Sequence, residues 1–272
     1  MSNHFNTQIG FGTSCIGESL EPEKWNRHLA AVRHAIDVGY RVIDTAERYG
    51  DGKTETLIGQ ALVDSGKRDQ LHLVSKVLPK NALTVNDVVA SCERSIAKMK
   101  CGYIDTYLLH WREGAMPITP AIEAMLELKQ RGLIKNYGVS NFRKFSLEEW
   151  QMIEKQLGAE STISTHQLRY AVSYREHEKE SIPWNNNHNI TTMAWGPLDN
   201  SAIFKDQMFV DIAQRYGYLP GQLAIAWTIR NPNFISIPKS VDPDRIKKNF
   251  DSQKLTLNDE ILSELDKKFP IQ

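Results

Sequence analysis

The sequence predicts a single (β/α)8 TIM barrel whose functional site lies at the C-terminal face of the strands. Three features support this fold class. Short β-branched or aromatic segments recur at intervals of about 30 residues, segments with helical start and stop signals separate them, and polar side chains follow several of them. The length of 272 residues suits one barrel, so we interpret residues 1–272 as one domain.

Seven segments have the composition of buried strands. They begin near Tyr40, Leu71, Tyr103, Ile134, Thr162, Ile190 and Phe234. Successive starts are 31, 32, 31, 28, 28 and 44 residues apart, which fits one strand, one helix and two connections. An opening strand at residues 8–12 brings the total to eight, and the last interval has room for an extra helix within residues 206–230. A doubly wound open sheet is the main alternative, because it uses the same units.

Helix signals lie between these strands. Thr119–Pro120 begins an apolar run that Gly132 follows. Ser146 with Glu149 predicts a capping box, and Thr84 is expected to open another helix. We expect these helices to form the outer ring of the barrel.

Composition narrows the classes of function. Basic and acidic residues both number 33, so no overall charge attracts nucleic acid or an anionic membrane. The polar start and the lack of an apolar run of about 18 residues predict a cytoplasmic protein without a membrane partner. Cys15, Cys92 and Cys101 are odd in number and lack CxxC spacing, which predicts neither disulfides nor a cysteine metal site.

Four polar residues stand at or just beyond predicted strand ends. Asp44, Lys76 and His110 end three neighbouring strands, and Tyr49 follows Asp44 in the next loop. Singly, the aspartate could cap a turn, the lysine could be solvated and the histidine could belong to the core. At matching strand ends, all four are expected to point into one mouth of the barrel.

These residue types are chemically consistent with a proton relay. A tyrosine with an ordinary pKa of about 10 needs a stabilised phenolate to relay protons near neutral pH. We expect Lys76 to stabilise that phenolate, Asp44 to hold Lys76, and His110 to donate a hydrogen bond to a carbonyl oxygen. Such a relay suits carbonyl reduction.

A basic segment near the C-terminus suits a phosphate group. Lys239, Ser240 and Arg245 supply two cations and a hydroxyl within seven residues. The alternative is a solvated basic turn before a helix that Asp242–Pro243 begins.

In its motifs the chain resembles the aldo-keto reductases from residue 10 to Asn249. The matching segments, in chain order, are GFGTS, RVIDTAERYG, VSKV, LLHW, GVSNF, AWGPL and IPKSVDPDRIKKNF. The resemblance implies a barrel enzyme that reduces aldehydes, α-dicarbonyls or keto groups with NADPH. The stretches LLHWRE and YREHEKESIPW are most similar to the short bacterial branch linked to methylglyoxal and keto-sugar acid reduction.

The resemblance also implies roles for individual residues. The implied catalytic residues are Asp44, Tyr49, Lys76 and His110, with Tyr49 as proton donor. Gly12, Thr13 and Asp44 are implied to bind the cofactor. Ser140, Asn141 and Gln167 are implied to bind the nicotinamide carboxamide, with Trp195 stacking on the ring. The implied pyrophosphate residues are Gly196, Pro197 and Leu198. The implied adenosine-end residues are Lys239, Ser240 and Arg245 on the 2′-phosphate and Asn249 on the adenine.

Three positions depart from the pattern of the family. Trp195 replaces the more usual tyrosine and keeps a stacking face. Lys248 stands where a glutamate often meets adenine, which puts that contact in doubt. Arg169 replaces an acidic residue, and the sequence assigns it no consequence.

Three alternative functions are weighed on sequence features. A phosphate loop at residues 50–54 lacks its first glycine, since Glu47 stands there, and no GxGxxG follows a strand. The eight histidines show no HxH or HExxH spacing, so we expect no metal. A reductase-like sensor or subunit that binds NADPH is the third alternative, and the presence of Tyr49, Lys76 and His110 argues against it.

Short loops predict the character of the substrate pocket. The segment at residues 111–119 is short and little chain follows the last predicted helix, so we expect a shallow, open pocket. Its expected walls are Trp25, Tyr49, His110 and Trp111. Such a pocket is expected to favour activated aldehydes and α-dicarbonyls in a monomer that acts on small carbonyl compounds.

Overall fold

The computed structural model describes residues 4–159 and 162–271. Its eight strands are parallel and lie in chain order in one sheet. The strands are β1 Phe11–Gly12, β2 Val42–Asp44, β3 His72–Val77, β4 Ile104–Leu109, β5 Ile134–Ser140, β6 Thr165–Arg169, β7 Thr191–Trp195 and β8 Phe234–Ser236. The helices are α1 Pro22–Val38, α2 Lys53–Ser65, α3 Val85–Met99, α4 Thr119–Gln130, α5 Lys144–Gln156, α6 Ser181–Asn187, α7 Gln207–Arg215, α8 Pro220–Thr228, α9 Pro243–Asp251 and α10 Asp259–Lys268.

The sheet closes on itself between its first and last strands. Ile9 forms a parallel bridge to Ser236, and the Ser236 amide donates to the carbonyl oxygen of Gln8 over 2.8 Å. The predicted opening strand, residues 8–12, therefore bonds to two neighbours. Its first residues, 8–10, bond to β8, and its last two, which form β1, pair with β2. The (β/α)8 barrel is confirmed, and the open-sheet alternative is wrong.

Local helix signals are confirmed where a side chain caps the helix. The Thr84 hydroxyl accepts from the Asp87 amide at the start of α3, and Asp242 accepts from the Arg245 amide at the start of α9. Both α7 and α8 lie between β7 and β8, so the extra helix predicted there is present.

The predicted capping box at Ser146 is wrong. Helix α5 begins earlier, at Lys144, and Ser146 is buried within its first turn. Glu149 does not return to the helix start, because its carboxylate pairs with the Arg112 guanidinium of the loop after β4. The Glu149 carboxylate is therefore used in an ion pair with a distant residue and not in a local helix cap.

Strand alternation prepares the functional site. Val42, Val74 and Leu108 on β2, β3 and β4 belong to one buried apolar cluster with Met193 and Ile235 from β7 and β8. Side chains two residues apart lie on the same face of a strand. The residues two positions further along β2 and β3, and just beyond β4, therefore form the next layer towards the C-terminal mouth. That layer is polar.

Candidate active site

Asp44, Lys76 and His110 occupy this polar layer, each two residues after a member of the apolar cluster. Tyr49 begins a short 3-10 turn in the loop after β2, which carries the phenol back towards them. The structure thus brings together the four residues that the sequence places at strand ends. All four are largely or wholly buried in the mouth of the barrel.

Lys76 is the centre of this group. Its Nζ lies 2.8 Å from an Asp44 carboxylate oxygen, donates to the Thr45 carbonyl oxygen over 2.7 Å, and lies 3.4 Å from the Tyr49 hydroxyl. Burial lowers the pKa of this fully buried ammonium, but the charge of Asp44 and the interaction with Tyr49 outweigh burial and raise the pKa. Lys76 therefore carries its charge at neutral pH.

The pKa of Tyr49 reflects two opposing influences. Burial raises the pKa of the phenol, the charge of Lys76 lowers it, and the carboxylate of Asp44 raises it again. The net direction is upward, so the influence expected of Lys76 is present but does not prevail. Tyr49 consequently keeps its proton at neutral pH, which suits a proton donor rather than a proton acceptor.

His110 is held as a neutral imidazole. Burial, followed by the charges of Lys76 and Arg48, lowers its pKa to about 2. Its ring centre lies 6.0 Å from that of Tyr49 in an edge-on arrangement. The buried Nδ1 atom has no hydrogen-bond partner within residues 4–159 and 162–271. A neutral imidazole has one N–H to donate, so His110 can hydrogen-bond an acceptor without transferring its proton.

Amide side chains line the opposite wall. The Gln167 amide donates to Asp44 over 2.7 Å, which ties β6 to the lysine-aspartate pair. The Asn141 amide donates to the Ser140 hydroxyl over 2.9 Å, and the Trp195 indole N–H donates to the Asn141 side-chain oxygen over 2.9 Å. Asn141 adopts a left-handed backbone with φ of 57°, a conformation that asparagine tolerates better than most residues.

These walls enclose a cavity of about 560 Å³, here called the substrate cavity. Its lining includes Gly12, Asp44, Tyr49, His110, Trp111, Asn141, Gln167, Trp195, Gly196, Pro197, Leu198 and Lys239. Ser140 and Thr13 are buried behind this surface, and the Thr13 hydroxyl donates to the Asp44 carbonyl oxygen over 2.8 Å. These two residues support the wall without lining it.

A second cavity of about 720 Å³, here called the phosphate cavity, continues from the first. The two cavities share Leu198, Ser201 and Lys239. The phosphate cavity also contains the other predicted adenosine-end residues: Ser240, Arg245 and Asn249. Lys248 and Arg27 add two cations, while the nearby carboxylate of Asp242 is engaged as the cap of α9. An excess of positive charge beside a helix N-terminus suits a phosphate.

One predicted pocket wall requires correction. Trp25 lies on α1, where its indole N–H donates to the Gln60 side chain of α2 over 3.1 Å, and it does not line the substrate cavity. The contact between the two helices takes the tryptophan away from the site. Trp111, by contrast, lines the cavity with its ring centre 4.8 Å from that of His110.

Sequence reasoning missed several residues of the cavities. Arg48, Cys15, Asn200 and Ser201 line the substrate cavity, and Arg27 lines the phosphate cavity. Arg48 carried a usable signal, since it directly precedes Tyr49 in the loop after β2. The others depend on loop conformation and on the packing of α1, which residue type alone does not predict.

Arg169 has a partner that the sequence did not indicate. Its guanidinium donates to Asp199 over 2.5 Å and lies 4.2 Å from the centre of the Tyr174 ring. Ser173 also donates to Asp199, over 3.0 Å. These contacts hold the chain after Leu198 against the loop that follows β6.

Within the described residues there is no group of three histidine, cysteine, aspartate or glutamate side chains that could hold a metal ion, and no helix there is long and apolar enough to cross a membrane. A barrel whose mouth joins a protonated tyrosine, a charged lysine and a neutral histidine has the features of an oxidoreductase that acts on carbonyl groups. The substrate cavity and the phosphate cavity together form a long groove, which has room for an extended cofactor.

Comparisons with known proteins agree with this class. The model of the "Aldo/keto reductase family" matches residues 8–269. The chain is 32% identical to methylglyoxal reductase YeaE of Escherichia coli strain K12 over 96% of this chain and 90% of the relative. It is also 32% identical to methylglyoxal reductase DkgA of the same strain, over 88% of this chain and 83% of that relative.

A solved structure extends the likeness to the whole fold. The aldo-keto reductase from Klebsiella pneumoniae in complex with NADPH superposes with a TM-score of 0.90 at 32% identity, covering 100% of this chain and 96% of that one. The chain belongs to the aldo/keto reductase family. The family and enzyme class predicted from the sequence are confirmed.

Proposed function

We propose that this enzyme uses NADPH to reduce small activated aldehydes and α-dicarbonyls, such as methylglyoxal, to alcohols, with Tyr49 as the proton donor. The observation that carries the proposal is the buried Lys76 ammonium, which bridges Asp44 and the Tyr49 hydroxyl beside a neutral His110. The proton donor and the hydrogen-bond donor thus line one cavity that is open to a small molecule.

The donor set of the groove fits NADPH. Gln167, Asn141 and Trp195 offer amide groups and an aromatic face at the catalytic end. Lys239 and Arg245 offer cations at the far end, where the phosphate cavity opens beside the start of α9. We assign the first set to the nicotinamide and the second to the 2′-phosphate, because carboxamides need amide partners and phosphates need cations.

Bound NADPH supplies the hydride that reduces the carbonyl carbon. Tyr49 donates its proton to the carbonyl oxygen, and His110 donates a hydrogen bond to that oxygen as negative charge develops there. The nearby charge of Lys76 stabilises the phenolate that remains on Tyr49. Asp44 holds Lys76 in place, and a proton from solvent restores Tyr49 after each turnover.

The proposed substrate class rests on the shape of the site and on the relatives. The substrate cavity is open to solvent, and each missing methylene contact in an apolar pocket changes discrimination by only about 1 to 3 kcal/mol. A pocket with few walls discriminates weakly by substrate shape, so the reactivity of the carbonyl decides which substrates are preferred. The two Escherichia coli relatives named above carry the description methylglyoxal reductase.

We further propose that the enzyme is a cytoplasmic monomer. Its three cysteines are free, with Cys92 and Cys101 buried and Cys15 exposed, which fits a reducing compartment. Sedimentation velocity tests the oligomeric state, for which we expect a single species of the monomer mass.

The decisive experiment measures NADPH oxidation by the purified chain with a panel of carbonyl compounds. We expect methylglyoxal and 4-nitrobenzaldehyde to have higher kcat/KM values than acetone or a bulky steroid ketone. Preference for the steroid or for acetone would contradict the proposed substrate class. Binding of NADPH without turnover of any carbonyl would instead favour a sensor or subunit role.

A further inference from the structure

Arg48 is a charged residue of the substrate cavity that the proposed chemistry does not use. It lies in the loop after β2, next to Tyr49, and its side chain is exposed. Its guanidinium carbon lies 5.5 Å from the centre of the Trp111 ring. Arg48 therefore stands at the entrance to the site, beside the wall that leads to His110.

Within the part of the chain that the structure describes, the charge of Arg48 has no anionic partner. Among residues 4–159 and 162–271, no carboxylate forms an ion pair with it. The adjacent Glu47 is engaged elsewhere, since one of its carboxylate oxygens accepts from the Leu78 amide over 2.6 Å and from the Asn81 side chain over 3.0 Å. The guanidinium is thus available to an anion that enters the cavity.

The other charged or titratable groups of the substrate cavity are paired, neutral or at the cofactor end. Asp44 is paired with Lys76 inside the catalytic group, and His110 is neutral. Lys239 lies where the substrate cavity meets the phosphate cavity, at the cofactor end. Arg48 is the remaining cation of the lining on the side of Tyr49 and Trp111.

The charge of Arg48 also reaches the catalytic residues. Burial raises the pKa of Tyr49 and the Arg48 charge opposes part of that rise, while burial, Lys76 and then Arg48 lower the pKa of His110. A side cavity of about 560 Å³ shares Arg48 and Trp111 with the substrate cavity. Its lining carries three more cations without ion pairs in the described chain: Lys80, Arg94 and Lys98. With Arg48, the side cavity has four cations against three acids, Glu47, Asp51 and Glu113, so its lining has a small excess of positive charge.

We infer that Arg48 binds an acidic group on the substrate, so that the enzyme prefers aldehydes and α-dicarbonyls that carry a carboxylate or phosphate a few bonds from the reactive carbonyl. This inference rests on the proposed function, because it assigns the reacting carbonyl to the space between Tyr49 and His110. From there the rest of the substrate extends along Trp111 towards Arg48. A guanidinium can pair with two oxygens of a carboxylate or phosphate, which fixes orientation as well as charge.

The test compares matched substrates that differ in charge. One pair is 4-carboxybenzaldehyde and methyl 4-formylbenzoate, and the other is glyceraldehyde 3-phosphate and glyceraldehyde. The kcat/KM of each compound is measured with NADPH for the wild type, Arg48→Gln and Arg48→Lys. We expect Arg48→Gln to lower the acid-to-neutral ratio by about tenfold in at least one pair, mainly through KM, and Arg48→Lys to retain part of the preference. The pair that responds distinguishes a carboxylate from a phosphate.

Arg143→Gln is the matched control. It removes the same charge from an exposed arginine that does not line the cavity. We expect both substrate ratios to stay at the wild-type value in this variant. Unchanged ratios in Arg48→Gln, with both neutral aldehydes still reduced, would overturn the inference and leave the proposed function standing. Absence of NADPH-dependent reduction of every compound by the wild type would overturn the proposed function and the inference with it.

Discussion

At the scale of single residues, the site separates two tasks by environment. Burial keeps Tyr49 protonated despite the nearby Lys76 charge, and it keeps His110 uncharged. A proton to give and a neutral hydrogen-bond donor are thereby present together at neutral pH. The residue types could be predicted from the sequence, but the balance of burial against charge needs the positions of the atoms.

The first prediction concerns the pH dependence of carbonyl reduction. Because the pKa of His110 is lowered to about 2 and that of Tyr49 is raised above its ordinary value of about 10, neither group changes charge between pH 5 and 8. We expect kcat/KM for methylglyoxal to be flat across that window and to fall only at higher pH, as Tyr49 loses its proton. A transition near pH 6.5 would contradict a neutral His110. Alcohol oxidation needs the deprotonated phenol, so its rate should rise with pH.

Trp195 shows how a departure from the family pattern is accommodated. Its indole N–H bonds to the side chain of Asn141, so the larger ring also orients an amide of the proposed nicotinamide site. The resemblance predicts a stacking face at this position. The hydrogen bond could not be predicted, because it depends on where the loop after β5 places Asn141.

At the scale of elements, the start of α9 supports the proposed 2′-phosphate site. Asp242 caps the helix through the Arg245 amide, and this leaves the Arg245 side chain in the lining of the phosphate cavity. The basic segment and the helix start could both be predicted from residue type and spacing. The continuity of this cavity with the substrate cavity could not, because it depends on the loop around Ser201.

The second prediction concerns the choice of cofactor. We expect Arg245→Ala to weaken NADPH binding by about tenfold or more, since it removes a charge-assisted contact, and to leave NADH binding nearly unchanged. Fluorescence titration of both cofactors measures the difference. Lys247→Ala on the same helix is the control, because Lys247 pairs with Asp251 over 2.7 Å and does not line the cavity. Equal losses for NADPH and NADH would reject the phosphate assignment.

Helix caps mark where local sequence decides structure and where packing overrides it. Thr84 caps α3 as its pattern predicts, because its hydroxyl accepts from the Asp87 amide and donates to the Asp87 carboxylate over 2.7 Å. At α5 the predicted cap fails, because Ser146 is buried and Glu149 is paired with Arg112. A sequence pattern cannot show that a distant arginine will take a capping group.

At the scale of the whole molecule, buried histidines link stability to pH. Burial lowers the pKa of the half-buried His72 to about 4 and that of the fully buried His166 to about 3. The unfolded chain binds protons at these sites near pH 6.5, so stability is complete above that pH and falls as the pH is lowered towards the folded values. The raised pKa values of the buried carboxyls Glu55 and Glu154 offset part of this loss.

The third prediction isolates His166, which is fully buried on β6 and contacts Asn185 over 3.1 Å. Each pH unit between about 6 and 4 should cost about 1.4 kcal/mol of unfolding free energy for this one group. Urea unfolding of the wild type and of His166→Gln at pH 7, 6 and 5 measures it. We expect the variant to lose stability less steeply as the pH falls. Parallel pH dependences would show that His166 is not held neutral in the fold.

The barrel could be predicted because its repeat is encoded locally. Seven strands begin within a few residues of the predicted starts, because apolar β-branched runs and the helix signals between them recur at regular intervals along the chain. The count of eight units predicts a closed barrel, but it does not predict the bridge between Ile9 and Ser236 that closes it. The sequence does not predict that Arg48 lines the cavity from a loop, nor that Trp25 bonds to Gln60. Both depend on the tertiary structure.

The most direct test of the central claim is the turnover of Tyr49→Phe. Only the hydroxyl at the reaction centre is removed, so NADPH affinity should stay close to that of the wild type while kcat for methylglyoxal falls by at least about 100-fold, the contribution that general acid catalysis commonly makes. Fluorescence titration of NADPH on the same samples confirms that the site remains folded. A Tyr49→Phe enzyme that binds NADPH normally and keeps most of the wild-type kcat would contradict the assignment of Tyr49 as the proton donor.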